Sequence, residues 1–233
     1  MEEILKNGFA QLGIEVSERA LEQYKIYYEY LEERNKVMNL TAINGEENVA
    51  RLHFLDCAAL LGMYDFKDKR IIDVGTGAGF PGLPLRIAEP SLELTLLDSL
   101  NKRVDFLRET CAKLGFDSVH CVHARAEEAP EEFRGAYDIA VSRAVAQLNA
   151  LCELCLPFLK VGGVFIAMKG PDCAQEVSEA QSAMHILGAK LRETVIYTVP
   201  GADIRHGAVI IEKTKPTHPK YPRKWAQIKK RPL

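Results

Sequence analysis

The spacing of apolar positions changes character near residue 70. Before this point, apolar residues recur every three or four positions, as they do on one face of an amphipathic helix. This spacing predicts a short helix over residues 4–12, a longer one that Ser17 can cap and that runs to Leu31, and a third over residues 46–61. The segment 39–45 between the last two is predicted to be a structured loop.

After residue 70, short apolar runs alternate with helical stretches, which is the pattern of a mainly parallel sheet covered on both faces. The fold class is therefore α/β, with helices predicted at 102–114, 148–159 and 173–187. A segment too short for a crossover helix joins the last two runs, so that pair should be antiparallel. The predicted strands are residues 71–74, 94–97, 119–122, 139–142, 164–168, 194–197 and 208–211.

Composition fits one structural unit with its own core. The chain has 233 residues, of which 47% are hydrophobic and 27% charged, as in ordinary globular domains. Within that unit we distinguish a helical extension over 1–66, a core over 67–213 and a basic C-terminal segment over 214–233. Apolar runs are too short to cross a bilayer, and the first residues are acidic rather than signal-like, so we expect a cytoplasmic protein without membrane contact.

Charge is distributed unevenly along the chain. The net charge is −2, yet residues 213–233 hold eight Lys or Arg and no acidic residue, which leaves −2 − 8 = −10 for the rest. A basic segment on an acidic body predicts a polyanionic partner. The six cysteines are expected to be reduced. Cys152 and Cys155 lie in an apolar helical run, so we expect core thiols there and no metal site.

The glycine-rich segment 73–82 follows the first predicted strand and can be aligned with two cofactor-binding patterns. Asp73 followed by alternating glycines is typical of methyltransferases. Glycines at 77, 79 and 82, with Asp98 about twenty residues further on, equally fit the dinucleotide fingerprint. The first alignment is favoured because the carboxylate of Asp73 can accept hydrogen bonds from the ammonium of a cationic ligand such as S-adenosylmethionine, or from the turn amides, and repels a pyrophosphate. Pro81 and Pro84 also disturb the turn that pyrophosphate binding uses.

Two further acidic residues follow predicted strands. Asp98 ends the second strand, where its carboxylate can accept both ribose hydroxyls or, alternatively, cap the following helix. Glu127 follows the third strand with Ala126. There a polar side chain or backbone amide can contact the adenine amino edge, whereas an isolated glutamate would be a solvated surface acid.

Several motifs together resemble the bacterial 16S ribosomal RNA guanine-N7 methyltransferase family RsmG, also called glucose-inhibited division protein B. The resemblance covers nearly the whole chain. It departs at Cys57, where the family often has serine, and at 225–227, where glycine and proline are more usual. The motifs are Asn39-Leu40-Thr41, His53-x-Leu55-Asp56, the block 75–85 with its two prolines, Ser142-Arg143-Ala144, Lys169-Gly170 and Tyr221-Pro222-Arg223-Lys224.

The resemblance implies a Rossmann-like class I methyltransferase with a seven-strand, mostly parallel sheet and an N-terminal helical extension. It also implies S-adenosylmethionine as the cofactor and N7 of a 16S ribosomal RNA guanine as the methyl acceptor. The residues expected at the cofactor are then Gly75, Phe80, Ala126, Glu127 and Arg143, with Gly77, Gly79 and Asp98 as supporting positions, in addition to Asp73.

The chemistry of guanine N7 fits this expectation independently. N7 carries a lone pair and no proton, so methyl transfer needs positioning and no general base. The fourth predicted strand is followed by neither the Asn/Asp-Pro-Pro-aromatic segment used on exocyclic amines nor a Pro-Cys nucleophile. Arg143 can hold the methionine carboxylate, orient the base or grip a phosphate, or be a surface arginine paired with a carboxylate. Arg51, His53 and Asp56 can line the substrate entrance, or His53 can be a partly buried histidine that caps the sheet.

Basic residues are expected to contact phosphates, and Tyr221 and Trp225 to stack on unpaired bases. The alternative is a disordered solubilising tail. The expected partner is 16S ribosomal RNA or the small ribosomal subunit, bound by a monomer. Other readings are a methyltransferase for a small molecule or another RNA, an NAD-dependent oxidoreductase, and a non-catalytic RNA-binding module. The basic residues assigned to RNA are Lys169, Arg205, Arg223, Lys224, Lys229 and Lys230.

Overall fold

The structure, a computed structural model, describes residues 1–143 and 146–233. Its strands are β1 (Arg70–Val74), β2 (Glu93–Asp98), β3 (His120–His123), β4 (Tyr137–Arg143), β5 (Leu159–Lys169), β6 (Ala189–Thr198) and β7 (Arg205–Lys213). The α-helices are α1 (Glu2–Gln11), α2 (Glu18–Met38), α3 (Glu46–Val49), α4 (Asp56–Ala58), α5 (Gly82–Ala88), α6 (Asn101–Leu114), α7 (Leu148–Cys155), α8 (Ala174–Glu179), α9 (Gln181–Ile186) and α10 (Trp225–Lys230).

The strands form one sheet in the order β3-β2-β1-β4-β5-β7-β6. Strands β1 to β5 pair in parallel, and β7 runs antiparallel to both β5 and β6. The predicted mainly parallel sheet and the antiparallel final pair are therefore confirmed. In such a sheet the carboxyl ends of the parallel strands lie at one edge, where ligands bind.

Alternate side chains of each strand enter separate apolar layers on the two faces of the sheet. Ile71 and Val141 pack with the N-terminal helices and α5, whereas Ile72 and Ala140 pack with α7 and α9. This alternation follows from the two-residue period of a strand. The 1–66 segment thus shares a core with one face of the sheet.

Helix α2 supports the glycine-rich segment. Ser17 caps α2 by accepting a hydrogen bond from the Ala20 amide at 3.1 Å, as predicted. Inside the core, the hydroxyl of Tyr24 donates to the carbonyl of Pro84 at 2.7 Å and that of Tyr27 to the carbonyl of Ala78 at 2.5 Å. These bonds satisfy buried carbonyls of the segment that follows β1.

Three helical predictions were incomplete. The predicted third helix is a continuous run in which a π-helix, Ala50–Leu55, separates α3 from α4, and a 3-10 turn, Ala59–Gly62, ends it. The predicted helix 148–159 ends earlier, since Leu156–Phe158 form a 3-10 turn around Pro157. The predicted helix 173–187 is divided into α8 and α9 at Ala180, whose ψ is −2°.

Strands β5, β6 and β7 are longer than predicted, because most of their additional residues are exposed or half-buried and add no continuous apolar run. Helix α10 was missed because it is short and rich in lysine. No helix of the described residues has the length and apolarity to cross a membrane. All six cysteines lie in the described part of the chain and are free, with Cys152 and Cys155 buried in the core, as expected.

Candidate functional site

The glycine-rich turn after β1 is shaped by its backbone. Gly75, Gly77 and Gly79 have φ values of 70°, 61° and 104°, a left-handed region that favours glycine. The amides of Gly75 and Thr76 donate to the carbonyl of Leu97 at 2.8 and 3.1 Å, which ties the turn to the end of β2. A Cβ at Gly77 would meet no described atom within 4 Å, since this position faces open space.

Gly79 serves packing rather than ligand contact. A Cβ there would lie 2.8 Å from the hydroxyl oxygen of Tyr27 and 2.5 Å from a methyl of Leu83. The ring of Tyr27 stacks on Phe80 with centroids 5.5 Å apart. Because glycine has no Cβ, the turn can pack closely against Tyr27 of α2 at position 79. The predicted role of Gly79 at the cofactor is a supporting one.

Asp73 is fully buried at the end of β1. Its Oδ2 accepts hydrogen bonds from the Thr76 hydroxyl and the Gly82 amide, both at 2.7 Å. Its Oδ1 is buried and receives no hydrogen bond from the residues that the structure describes. Burial raises the pKa of Asp73 to about 7, against the opposing effect of these two hydrogen bonds. Of its two predicted contacts, turn amide and ligand ammonium, the structure contains the first.

Asp98, at the end of β2, is bound by two backbone amides, one of them at the start of the following helix, which was one of the two roles considered from the sequence. Its Oδ1 accepts a hydrogen bond from the amide of Leu100, just before α6, and its Oδ2 accepts one from the amide of Gly77, both at 2.9 Å. Arg103 lies 3.5 Å from the same carboxylate. The carboxylate also borders the cavities described next, so it links the start of α6, the glycine turn and the open space between them.

Three adjoining cavities follow the carboxyl edge of the sheet. The β2–β3 cavity measures about 290 Å³ and is lined by Gly75, Asp98, Ala126, Glu127, Leu154 and Trp225, among others. The loop cavity, about 360 Å³, is lined by residues that include Thr41, His53, Gly77, Phe80, Asp98 and Arg143. The β5–β7 cavity, about 430 Å³, is lined by residues that include His53, Asp56, Arg143, Met168, Lys169 and His206.

Shared residues join these cavities into one trough. Gly75 and Asp98 border both the β2–β3 cavity and the loop cavity, and His53 and Arg143 border both the loop cavity and the β5–β7 cavity. The structure therefore brings together the predicted cofactor residues Gly75, Gly77, Phe80, Asp98, Ala126, Glu127 and Arg143. Asp73 and Gly79 lie behind them, in the support of the turn.

Arg143, at the end of β4, is held in a largely buried position. Its Nη1 lies 3.3 Å from Oδ2 of Asp56 and 3.3 Å from the carbonyl of Leu52, and its Nη2 lies 2.7 Å from Nδ1 of His53. Its guanidinium carbon lies 4.9 Å from the centroid of the Phe80 ring. Arg143 is thus paired with a carboxylate, but within the trough and not on the outer surface. The following Ala144 and Val145 lie outside the described residues.

His53 is a neutral part of this network. Its ring stacks on Phe80 with centroids 4.1 Å apart, and burial, reinforced by the charge of Arg143, lowers the pKa of His53 to about 2. Because a guanidinium only donates, Nδ1 of His53 is the acceptor from Arg143. Nε2 therefore carries the proton and donates to the hydroxyl oxygen of Thr41 at 2.8 Å. The histidine lines the trough, which was one of its two predicted roles.

Asp56 is the centre of the network at the β5–β7 end. The carboxylate is 1% exposed, and its Oδ1 accepts from the hydroxyl of Tyr197 at 2.8 Å and from Nδ1 of His206 at 2.7 Å. The hydrogen bond to Asp56 raises the pKa of His206. Arg51, predicted alongside His53 and Asp56, instead pairs with Glu47 at 3.0 Å.

The residues assigned to RNA occupy different environments. Lys169 lies at the rim of the β5–β7 cavity, where its Nζ donates to the Ala146 carbonyl at 2.8 Å and pairs with Glu176 at 2.7 Å. Arg223 is directed to the carboxylate of Glu153, which is fully buried. The remaining four are exposed at the surface: Arg205, Lys224, Lys229 and Lys230.

Some residues of the trough were missed or given another role. Trp225 borders the β2–β3 cavity although the sequence placed it with the RNA contacts. Ser99 and Arg103 border the loop cavity, and their position just after Asp98 was an available signal. Tyr197 completes the Asp56 network from β6, and no local motif marks it.

Comparison with known proteins gives sequence and structural relatives. A family profile described as GidB, rRNA small subunit methyltransferase G, matches residues 20–203. The "Ribosomal RNA small subunit methyltransferase G" of Alkaliphilus metalliredigens is 49% identical over 233 residues, covering 99% of this chain and 98% of that protein. The protein of the same name from Clostridium tetani is 44% identical over 234 residues, with coverages of 99% and 98%.

Solved structures share the fold at low sequence identity. TrmN from Thermus thermophilus has a TM-score of 0.53 at 21% identity, covering 67% of this chain and 48% of that chain. TYW2 of M. jannaschii, solved in complex with AdoMet, has a TM-score of 0.52 at 14% identity, with coverages of 64% and 70%. These likenesses confirm the predicted Rossmann-like methyltransferase fold.

Proposed function

Because this chain belongs to the rRNA small subunit methyltransferase G family, we propose that it transfers a methyl group from S-adenosylmethionine to N7 of a guanine in 16S ribosomal RNA. The observation that carries the proposal is the continuous trough along the carboxyl edge of the sheet. One end of the trough has the glycine turn and Asp98, and the other has an open cavity beside Arg143. The cofactor would occupy the first end and the target base the second.

The residues of the first end fit S-adenosylmethionine. Asp98 faces the open space beside the left-handed Gly77, where the absence of a Cβ leaves room for a ligand against the backbone. The buried Oδ1 of Asp73 is an acceptor without a protein donor in the described structure, a short distance behind the turn. Glu127 adds a third carboxylate near the β2–β3 cavity. Acidic groups around the site favour a cationic ligand.

The position of Asp73 argues against a dinucleotide as the cofactor, which was the alternative considered from the sequence. Pyrophosphate binding in that fingerprint uses backbone amides at a helix N-terminus. Here the amide of Gly82, the first residue of α5, donates to the Asp73 carboxylate at 2.7 Å. The amide at the helix start is thus already bound to a carboxyl group of its own chain and is not available to a pyrophosphate.

The cavity residues are suited to positioning and not to proton removal. S-adenosylmethionine, when bound, supplies a methyl group on a positively charged sulfur. Guanine N7 attacks with its lone pair and has no proton to lose, so no base is needed. Accordingly, both ring nitrogens of His53 are occupied, and three donors surround the Asp56 carboxylate. Arg143, which borders both the loop cavity and the β5–β7 cavity, would orient the base against the methyl group.

The RNA would enter over the β5–β7 end. Lys169 at the cavity rim and the exposed Arg205, at the start of β7, would approach backbone phosphates there. The exposed Lys224, Lys229 and Lys230 of the C-terminal segment, whose Trp225 borders the β2–β3 cavity, would contact phosphates nearer the other end of the trough. We further propose a monomer acting in the cytoplasm on 16S ribosomal RNA or on the small subunit.

Methyl transfer to defined substrates tests the proposal. The purified protein is incubated with methyl-labelled S-adenosylmethionine and either naked 16S ribosomal RNA or small subunits from cells lacking the protein. Mass mapping of the RNA should find one N7-methylguanine that untreated particles lack. Label on another atom or on a small molecule would refute the substrate assignment, and binding of NADH without S-adenosylmethionine would refute the methyltransferase itself.

A further inference from the structure

The C-terminal segment 214–233 is attached to the body by buried polar contacts. Arg223 donates from its backbone amide and its Nε to Oε1 of Glu153, both at 2.8 Å, and from Nη2 to Oε2 at 2.6 Å. Arg134 donates to the carbonyls of Tyr221 and Thr217 at 2.7 and 2.8 Å. The side chain of Ile228 is fully buried. Paired charges with this geometry hold the backbone of the segment in one place.

This attachment fixes the position of Trp225. Arg223, two residues before it, is bound to Glu153 in α7, and Ile228, three residues after it, is buried in the same layer as Leu154. Trp225 and Leu154 both border the β2–β3 cavity, together with Ala126 and Glu127. The indole is therefore part of the wall of the cavity at the end of the trough opposite Arg143.

We propose that Trp225 binds the adenine of the cofactor and that the C-terminal segment is part of the cofactor site. The inference rests on the proposed function, since it assigns adenosine to the β2–β3 cavity. Asp98, Ala126 and Glu127 border the same cavity, and Asp98 would hold the ribose beside the adenine. An aromatic side chain on such a wall offers a π-face to a flat purine, as aromatic residues do for bases in single-stranded nucleic acid complexes.

This assignment differs from a role for Trp225 in RNA stacking. An RNA contact would require the indole to lie on the outer surface beside the exposed lysines of α10. The side chain is only partly exposed, and it lines the cavity that contains Asp98.

The chain contains a single tryptophan, so its fluorescence reports on this position alone. We expect S-adenosylhomocysteine and adenosine each to change the fluorescence of the full-length protein with saturation, whereas methionine does not. The dissociation constant from fluorescence should equal that from calorimetry. Binding of S-adenosylhomocysteine or adenosine in calorimetry without a change in fluorescence would overturn the inference. Failure of S-adenosylhomocysteine to bind at all would instead refute the proposed function.

Substitutions give a second, independent measurement. Trp225→Ala should raise the dissociation constant of S-adenosylhomocysteine about 10-fold, the lower range for loss of one base–aromatic stack. Trp225→Phe should retain most of the affinity, because a stacking face remains. Gln227→Ala, at an exposed position of the same helix, is the matched control and should bind like the unmodified protein. Unchanged affinity in Trp225→Ala, with circular dichroism showing a folded protein, would overturn the assignment.

Discussion

The two ends of the trough are built in different ways. At the glycine-turn end, the turn itself is formed by a single stretch of chain, from Asp73 to Asp98, whose backbone amides are bound by its own carboxylates. The β5–β7 end depends on side chains from four separate elements: the helical run with His53 and Asp56, β4 with Arg143, β6 with Tyr197 and β7 with His206. The turn is thus a local structure, whereas the β5–β7 end exists only when the sheet is complete.

This difference predicts different consequences of mutation. At the glycine-turn end, a substitution should change the affinity for the cofactor and leave the fold intact. At the β5–β7 end, each side chain satisfies another buried group, so a substitution should affect catalysis and stability together. Conservative variants can separate these two effects.

Arg143→Ala should have the largest effect. We expect kcat/KM to fall by about 10²- to 10³-fold, as for loss of one preorganised donor. The unfolding free energy should also fall, by about 3 kcal/mol, because Asp56 loses its buried partner. Steady-state methylation and thermal unfolding measure the two effects.

Arg143→Lys separates positioning from stability. The ammonium can still neutralise Asp56, so the melting temperature should recover most of its loss, whereas the planar fork that contacts both His53 and Asp56 is gone and activity stays low. Arg192→Ala, at an exposed position on β6, is the control and should change neither quantity. Full activity in Arg143→Lys would contradict a positioning role for the guanidinium.

Asp98→Asn should weaken cofactor binding about 10- to 100-fold, since hydrogen bonds to a charged group contribute about 1.5–3 kcal/mol. The KM for RNA should be unchanged, because Asp98 does not border the β5–β7 cavity. Calorimetry with S-adenosylhomocysteine measures the first quantity. Asp105→Asn, an exposed acid of α6, provides the control. A variant with unchanged cofactor affinity and raised KM for RNA would reverse the assignment of the two ends.

Asp73 should make cofactor affinity depend on pH. With a pKa of about 7, Asp73 is mostly protonated at pH 6, and a nearby cation favours its ionised form. Binding of S-adenosylmethionine should therefore release a proton at pH 6, and affinity should rise as pH approaches 7. Calorimetry in two buffers of different ionisation enthalpy measures this release. Asp73→Asn should abolish it, and a proton release that persists in this variant would exclude Asp73 as its source.

Asp73 also makes the stability of the ligand-free protein depend on pH. This dependence has the opposite direction to that of the cofactor affinity. Because the folded pKa lies above the ordinary value of 3.8, the folded state binds more protons than the unfolded state between these two values. The contribution of Asp73 to the free energy of unfolding should therefore decrease as pH rises from about 4 to about 7. Denaturant titrations of the unmodified protein and Asp73→Asn compare the slopes.

The smallest predicted effect separates the two histidines of the β5–β7 end. His53 should remain neutral with its proton on Nε2 between pH 5 and 8, because burial and Arg143 lower its pKa. His206 should titrate above the ordinary value of 6.5 because of Asp56, and its stabilising contribution should disappear as pH rises through the raised pKa. Nitrogen-15 NMR of the imidazoles measures both. Titration of His53 near 6.5 would show that the network is open to solvent.

The glycine-turn end was also the more predictable one. Its residues follow strands in a fixed order, and a parallel sheet brings successive strand ends to one edge, so local motifs sufficed for Gly77, Asp98 and Ala126. The partners of Asp56 could not be found in this way. Tyr197 and His206 reach it only through the antiparallel pairing of β6 with β7, whose register no local pattern defines.

The basic C-terminal segment shows a second limit. A count of charges cannot distinguish Lys229, which faces solvent, from Arg223, whose guanidinium binds a buried carboxylate. A signal did exist elsewhere, because Glu153 is the one acidic residue between Cys152 and Cys155 in an apolar helical run. A buried charge in that environment requires a partner of opposite charge, but the sequence does not identify which Lys or Arg side chain is that partner.

The pairing of Glu153 with Arg223 also affects when the core can fold during synthesis of the chain. Arg223 comes after all seven strands, so during translation α7 and the sheet emerge from the ribosome while Glu153 still lacks its counter-ion. Packing of α7 is then opposed by an unpaired carboxylate until Arg223 has also emerged. The nascent chain would thus complete its core and the Trp225 wall of the cavity in the same late step.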